Sequence, residues 1–195
     1  MSRKKILAAI KRNKPEYTPL PELSTFSQNA TDLAAAFELA GTTNKCRVVT
    51  ASARSEVASL ASTLYQNAKV VVTIAEGVDY GNLDIEQIES PKELERVDLA
   101  VIDGLLGVAE NSAVWVTEQE LRHRILPFIT QHLIIVLPKS KLVWNMNEAY
   151  AKIAIDDTGF GVFIAGPSKT ADIEQSLVIG AQGPRSSTVI LVEDE

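Results

Sequence analysis

The chain has 195 residues, 46% hydrophobic and 23% charged, with a net charge of −6 and a mean hydropathy of +0.05. That is the composition of an ordinary globular domain large enough to bury a substantial core. The acidic balance argues against general nucleic-acid binding, and the longest apolar run, Leu133 to Pro138, is far short of the roughly 20 residues a membrane span needs.

Residues 2–13 suit a helix with Ile6, Leu7 and Ile10 on one side and bases on the other. Six basic residues fall within the first fourteen positions. Beyond Glu16, thirteen bases face twenty-four acids, a net of −11. The apolar patch Ile6 to Ile10 is too short for a signal-peptide core, so a cytoplasmic location is the expectation. Pro15, Pro19 and Pro21 mark an extended connection. The chain is therefore divided into a basic helix with its proline-containing connection, 1–29, and an α/β domain, 30–195.

Ala30 to Ala40 reads as a helix ended by Gly41, followed by a strand at Arg47 to Thr50. Ser52 begins another helix, carrying Val57, Leu60, Ala61 and Leu64 on one stripe. Lys69 to Ala75 is a β-branched run, the pattern of a strand covered on both faces. A short helix is expected around Pro91 to Glu95, then strands at Asp98–Asp103 and Ala113–Thr117, this last pair antiparallel or locally mixed. Glu118 to Ile129 is expected to be helical and interrupted by Pro127, with strand Leu133–Leu137 after it. Asn145 and Glu148 give a helix start that resembles a capping box. Gly159–Ala165 and Thr188–Val192 are the last strands. Strands alternating with helices at this spacing predict an α/β fold: a mostly parallel or mixed sheet covered by helices.

Between those last strands lies Gly166 to Arg185, GPSKTADIEQSLVIGAQGPR. Ser168 and Thr170 offer hydroxyls where a helix would start, Ile173 and Leu177 are spaced i, i+4, and Gly180 suits a left-handed cap. A strand, a polar turn and a helix N-terminus together make an anion site, whereas an ordinary capped turn uses the same residues.

The run GPSKTADIE followed by GPR resembles the signature of the LUD-domain family, in its short lactate utilisation protein C (YkgG-like) branch. Two positions depart from the pattern. The family's A-E-T-G-T is Ala109-Glu110-Asn111-Ser112-Ala113, and the His before Gly-Pro-Arg is Gln182. The resemblance implies a fold related to the sugar-phosphate isomerase and CoA-transferase type.

Candidate chemistry follows from both sources. Ser168, Lys169, Thr170, Gly183 and Arg185 are the expected anion- or ligand-binding residues, with a small carboxylate or phosphate as ligand. Lys139 and Lys141 are expected at the same sheet edge. Glu110 is the candidate acid or base if partly buried, or else an acceptor of backbone hydrogen bonds. Asp103 serves as a base or, more simply, as a cap. Asp172 and Glu174 stand in the first turn of the expected signature helix, where carboxylates complement the helix dipole and oppose anion binding. His123 and His132 lack metal-ligand spacing and read as surface or loop residues, and no metal site is expected.

Cys46 is the only cysteine, so this chain forms no internal disulfide and holds no iron–sulfur cluster by itself. The resemblance implies a non-redox accessory subunit in the oxidation of L-lactate to pyruvate, beside iron–sulfur oxidoreductase subunits that carry the cluster. The other reading is a stand-alone isomerase or CoA/acyl-transferase acting on a phosphorylated or carboxylate metabolite, with Glu110 as base or nucleophile. Homo-oligomerisation is left open.

Overall fold

The computed structural model describes residues 2–22, 32–154, 159–171 and 176–193. In chain order the elements are α1 (Arg3–Arg12), α2 (Leu33–Thr43), β1 (Cys46–Ala51), α3 (Val57–Leu64), β2 (Val71–Thr73), β3 (Leu99–Asp103), β4 (Leu106–Val108) and β5 (Ala113–Thr117). There follow α4 (Leu126–Ile129), β6 (His132–Pro138), β7 (Leu142–Val143), α5 (Met146–Lys152), β8 (Gly161–Ile164), β9 (Lys169–Thr170), β10 (Val178–Ile179) and β11 (Ser186–Val192).

Five strands form a wholly parallel sheet in the order β1-β11-β6-β3-β2. Its central strands are apolar at nearly every position because both faces are covered. Leu99, Val101, Ile134, Val136 and Ile190 pack with Val57 and Ala61 of α3 on one face. Ala100, Ile102, Leu133, Ile135, Val189 and Leu191 pack with Phe37 of α2 and with Val114 and Val116 on the other. Each fully buried Val, Leu or Ile contributes roughly 1.5–3 kcal/mol of transfer free energy. This two-sided core fixes strand register, since a one-residue slip would exchange the faces.

A second, mixed sheet, β7-β4-β5-β8, has β5 antiparallel to both neighbours. The expected antiparallel partner of β5 is thus the short strand β4, not β3. One face of this sheet meets the main core. The other holds α5 through Ala149, with Leu106, Val108, Ala113, Trp115 and Phe163. The two tryptophans are structural: Trp115 lies 4.8 Å from Phe163, centroid to centroid, and Trp144 packs against the main core.

Several expectations are corrected. Gly41 does not end α2, which runs through it to Thr43. A Cβ there would sit 2.7 Å from Val48 Cγ2, so this glycine permits close helix–strand packing. β2 is covered on both faces as expected, with Val71 and Val72 in opposite cores, and it is the edge strand of its sheet. Its exposed backbone is closed by Asn82, whose Oδ1 accepts from Val71 N–H at 2.8 Å and whose Nδ2 donates to Lys69 O at 2.6 Å. The helix expected over Glu118–Ile129 is only a 3-10 turn at Glu118–Glu120 and the four-residue α4, with Arg122 between them at φ +56°. Glu120 accepts from Thr117 N–H, which caps the first turn, and Pro127 belongs to a helix start because it has no N–H to give.

The largest correction concerns the signature. Lys169–Thr170 and Val178–Ile179 pair antiparallel, so the residues expected to open and close a helix form a small hairpin instead. The Gly180 N–H donates to Ser168 O at 2.9 Å, extending that ladder, and Gly180 has φ +82° without capping a helix. Leu177 is exposed. Asp172 and Glu174, with Ile173 and Gln175, lie outside the described residues.

Candidate functional site

Parallel strands give the main sheet two chemically different edges. Asp103 and Pro138–Lys141 leave the carboxyl ends of β3 and β6. Gly166–Thr170 lies at the opposite edge, beside Asn44 ahead of β1 and Pro184 ahead of β11. The three segments expected to converge therefore do not. At the carboxyl edge, Asp103 accepts from Arg54 Nη1 and from Glu76 N–H, each at 2.7 Å, which makes it a structural clasp. Lys139 is ion-paired with Glu193.

At the amino edge the signature is drawn against the end of α2. Gly166 has φ +76°, and a Cβ there would lie 2.5 Å from Asn44 O, so both backbone and space demand glycine. Lys169 Nζ donates to Asn44 O at 2.9 Å and to Ala165 O at 3.4 Å. A cation on the last carbonyls of a helix satisfies acceptors that have no helical partner. The Ser168 N–H donates to Pro184 O at 2.9 Å, joining the two Gly-Pro turns. Ser168, Lys169, Gln182 and Gly183 line a hollow of about 300 Å³ with Phe128 and Phe163. Thr170 and Arg185 do not line it. Gln182, which replaces the pattern's histidine, does.

The Ala109–Ala113 segment is the turn between β4 and β5. Glu110 is exposed, not partly buried, and its Oε1 accepts from Met146 N–H at 2.7 Å, on the first residue of α5. A carboxylate at that position satisfies an orphan donor and complements the helix dipole. Glu148 adds a bond from Trp144 N–H at 3.1 Å, while Asn145 Oδ1 accepts from Glu148 N–H. Ser112, at the position of the pattern's glycine, keeps a left-handed backbone with φ +54°. It is buried, and Asn44 Nδ2 donates to its Oγ at 3.1 Å and to Asn111 O at 2.7 Å. Asn44 thus joins the two family motifs: its side chain holds the turn and its carbonyl holds Lys169.

A second hollow, of about 680 Å³, opens at the same edge. Here His132 is the first residue of β6, partly buried, and not the surface or loop histidine expected. Its Nδ1 is 2.8 Å from Ser186 Oγ. Tyr65 Oη lies 3.1 Å from that hydroxyl and 2.8 Å from Thr188 Oγ1. The Tyr65 and His132 rings lie 5.0 Å apart. Burial pushes the imidazole pKa down; Asp98 opposes this and Arg185 reinforces it. Asp98 is held below its ordinary value by the Val70 and Lys69 N–H groups, which reach its Oδ2 at 2.9 and 2.7 Å. Sequence reading missed this cluster because Tyr65, Asp98, His132 and Ser186 come from four distant segments with no shared motif. Among the described residues no group of three or more His, Cys, Asp or Glu is placed to hold a metal ion. Among the described residues no helix is long and apolar enough to cross a membrane.

The LUD domain profile matches residues 66–192, which include both the Glu110 turn and the signature. Lactate utilization protein C of Exiguobacterium sp. (strain ATCC BAA-1283 / AT1b) is 34% identical over 118 residues, covering 57% of this chain and 51% of that protein. The protein of the same name from Shouchella clausii (strain KSM-K16) is 33% identical over 112 residues, covering 54% and 48%. The chain spans about half the length of these curated relatives. In fold it is similar to the crystal structure of a DUF162 family protein from Deinococcus radiodurans, with a TM-score of 0.65, 18% identity, and coverage of 85% of this chain and 99% of that one.

Proposed function

The chain belongs to the LUD-domain family, and from that premise we propose that it is a non-redox accessory subunit in the oxidation of L-lactate to pyruvate. The reaction removes two electrons and two protons from lactate, and the electrons go to an iron–sulfur oxidoreductase partner. The single observation that carries this reading is the likeness to lactate utilization protein C, 34% identical over 118 residues. The donor set of the chain itself does not fit an iron–sulfur cluster. Its one thiol, Cys46, is 4% exposed, and burial pushes its pKa up, away from the thiolate a cluster needs.

In this reading the signature hollow receives a small carboxylate or an acidic loop of the partner. Ser168, Lys169 and Gly183 form its wall, and Thr170 and Arg185 flank it. Glu110 acts as a positioning residue that sets α5 against the turn. The stand-alone enzyme reading draws less support, because Glu110 is exposed and already bonded to Met146 N–H.

The test is a tagged pull-down from the protein's own host, grown with and without L-lactate, with mass spectrometry and visible absorbance of the eluate. A brown eluate with cysteine-rich partners under lactate is the expected result. A colourless eluate holding this chain alone overturns the stable-complex reading.

A further inference from the structure

The 680 Å³ basin at the amino edge is separate from the signature hollow, and of its lining only Arg185 belongs to a family motif. Three arginines line it from three segments: Arg47 on β1, Arg96 at the end of the 3-10 turn Pro91–Arg96, and Arg185 ahead of β11. No described residue makes an ion pair with any of them. In a chain with 25 acids against 19 bases, three such guanidinium groups around one concavity make a local positive field. Two carboxylates share the lining, Glu95 and Asp98, and Asp98 is committed to two backbone N–H groups. The floor is the Tyr65–Ser186–His132 chain, which offers neutral hydrogen-bonding groups next to the charged rim. Its volume falls within the range of small-molecule sites, roughly 300–1,000 Å³.

We propose that this basin binds a small metabolite with a terminal oxyanion, a carboxylate or a phosphate. Arg47, Arg96 and Arg185 hold the anion, and His132 and Tyr65 meet the ligand's uncharged polar end. Planar guanidinium forks match the paired oxygens of such groups, and charge-assisted hydrogen bonds to them are among the stronger polar contacts. An acidic protein loop is the other chemistry that fits positive charge, but an open bowl of this volume with hydrogen-bonding groups in its lining suits a compact ligand better. The inference does not depend on the lactate reading. A phosphate response supports the basin, and the pull-down alone decides the oxidation complex.

The test titrates the full chain with sodium phosphate and, separately, with sodium L-lactate at constant ionic strength. The imidazole Cε1–H resonances are followed by NMR, with His123 as internal reference. The expected result is a saturable shift of His132 with at least one anion while His123 stays fixed. Arg185→Gln and Arg96→Gln are each expected to weaken that binding by at least about tenfold, the worth of one charge-assisted hydrogen bond. Lys152→Gln, at the end of α5, is expected to leave it unchanged. The idea is overturned if neither anion gives a saturable shift, if both histidines drift together, or if the arginine variants bind as tightly as the parent. Should Arg185→Gln not fold, Arg47→Gln and Arg96→Gln, on other segments, decide the matter by the same readout.

Discussion

Lys169 reaches across 125 positions of sequence to place its ammonium 2.9 Å from the main-chain carbonyl of Asn44. The same Asn44 uses its side chain to hold Asn111 and Ser112. The C-terminus of α2 is therefore the point at which the two motifs that carry the family resemblance are tied together. Neither motif contains that residue, and residue 44 lies outside the matched region as well.

The approach of Gly166 to Asn44 leads to the sharpest stability prediction. Gly166→Ala places a Cβ 2.5 Å from Asn44 O on a backbone with φ +76°. We expect a loss of about 1–3 kcal/mol, the usual cost of such strain. Lys169→Met is expected to cost less, about 0.5–1 kcal/mol, because this ammonium is solvent-exposed. Urea unfolding of both variants checks the order, and equal stabilities for Gly166→Ala and parent would refute the close contact.

Glu110→Ala removes the carboxylate that receives Met146 N–H. A loss of about 0.5–2 kcal/mol is expected, as for other lost helix caps, and Glu110→Gln should retain most of it. Denaturant midpoints of the two variants, set beside lactate-dependent growth of the host, separate the roles. A Glu110→Gln protein that is as stable as the parent yet fails to support growth would make Glu110 chemical rather than structural.

His132 makes stability depend on pH in a defined direction. Its pKa in the fold is pushed below the ordinary 6.5, so the unfolded chain binds this proton more readily than the native one. The contribution is present above 6.5 and is lost as pH falls through the depressed native value. Asp98, also lowered, adds a second loss only nearer its ordinary 3.8. Thermal melts from neutral pH down to about 5 are expected to show a decline that His132→Gln reduces. An identical decline in both proteins would contradict the assignment.

Cys46 lies buried at the start of β1, its Sγ 3.7 Å from Ser187 Oγ, and burial raises its pKa. A thiol of this kind reacts slowly, since the thiolate is the nucleophile. Labelling with an aromatic disulfide reagent at mildly alkaline pH is expected to wait on unfolding. Immediate stoichiometric labelling of the native protein would show that the strand is open.

The main sheet was legible because its strands are long and apolar through both faces. Leu133–Leu137 and Thr188–Val192 admit no other reading. Strands β4 and β7 were not legible, since Leu106–Val108 and Leu142–Val143 gain their order from each other and from β5 rather than from any local pattern. The signature misled for a different reason. The i, i+4 spacing of Ile173 and Leu177 suggests a helix, but Thr170, Val178 and Ile179 are β-branched and pair across the turn. Of the candidate hollow, Ser168, Lys169 and Gly183 stand in a contiguous motif that a sequence reading can name. Tyr65, His132 and Ser186 were invisible because only the parallel register of β6 and β11 sets His132 opposite Ser186.

That register has one more effect. Tyr65, Ser186 and Thr188 each own a single hydroxyl proton, and His132 holds one proton when neutral. If Nδ1 carries it and donates to Ser186, the hydroxyls can pass their own protons onward to Tyr65 and then to Thr188, and Nε2 is left as a lone-pair acceptor. Reversing the chain makes Nδ1 the acceptor and Nε2 the donor. The buried Thr188 hydroxyl and the imidazole nitrogen remote from Ser186 are then two ends of one switchable dipole chain. A rotation at the hidden end, with the imidazole proton given up from Nδ1 and another taken from water at Nε2, changes which kind of hydrogen bond the other end can make.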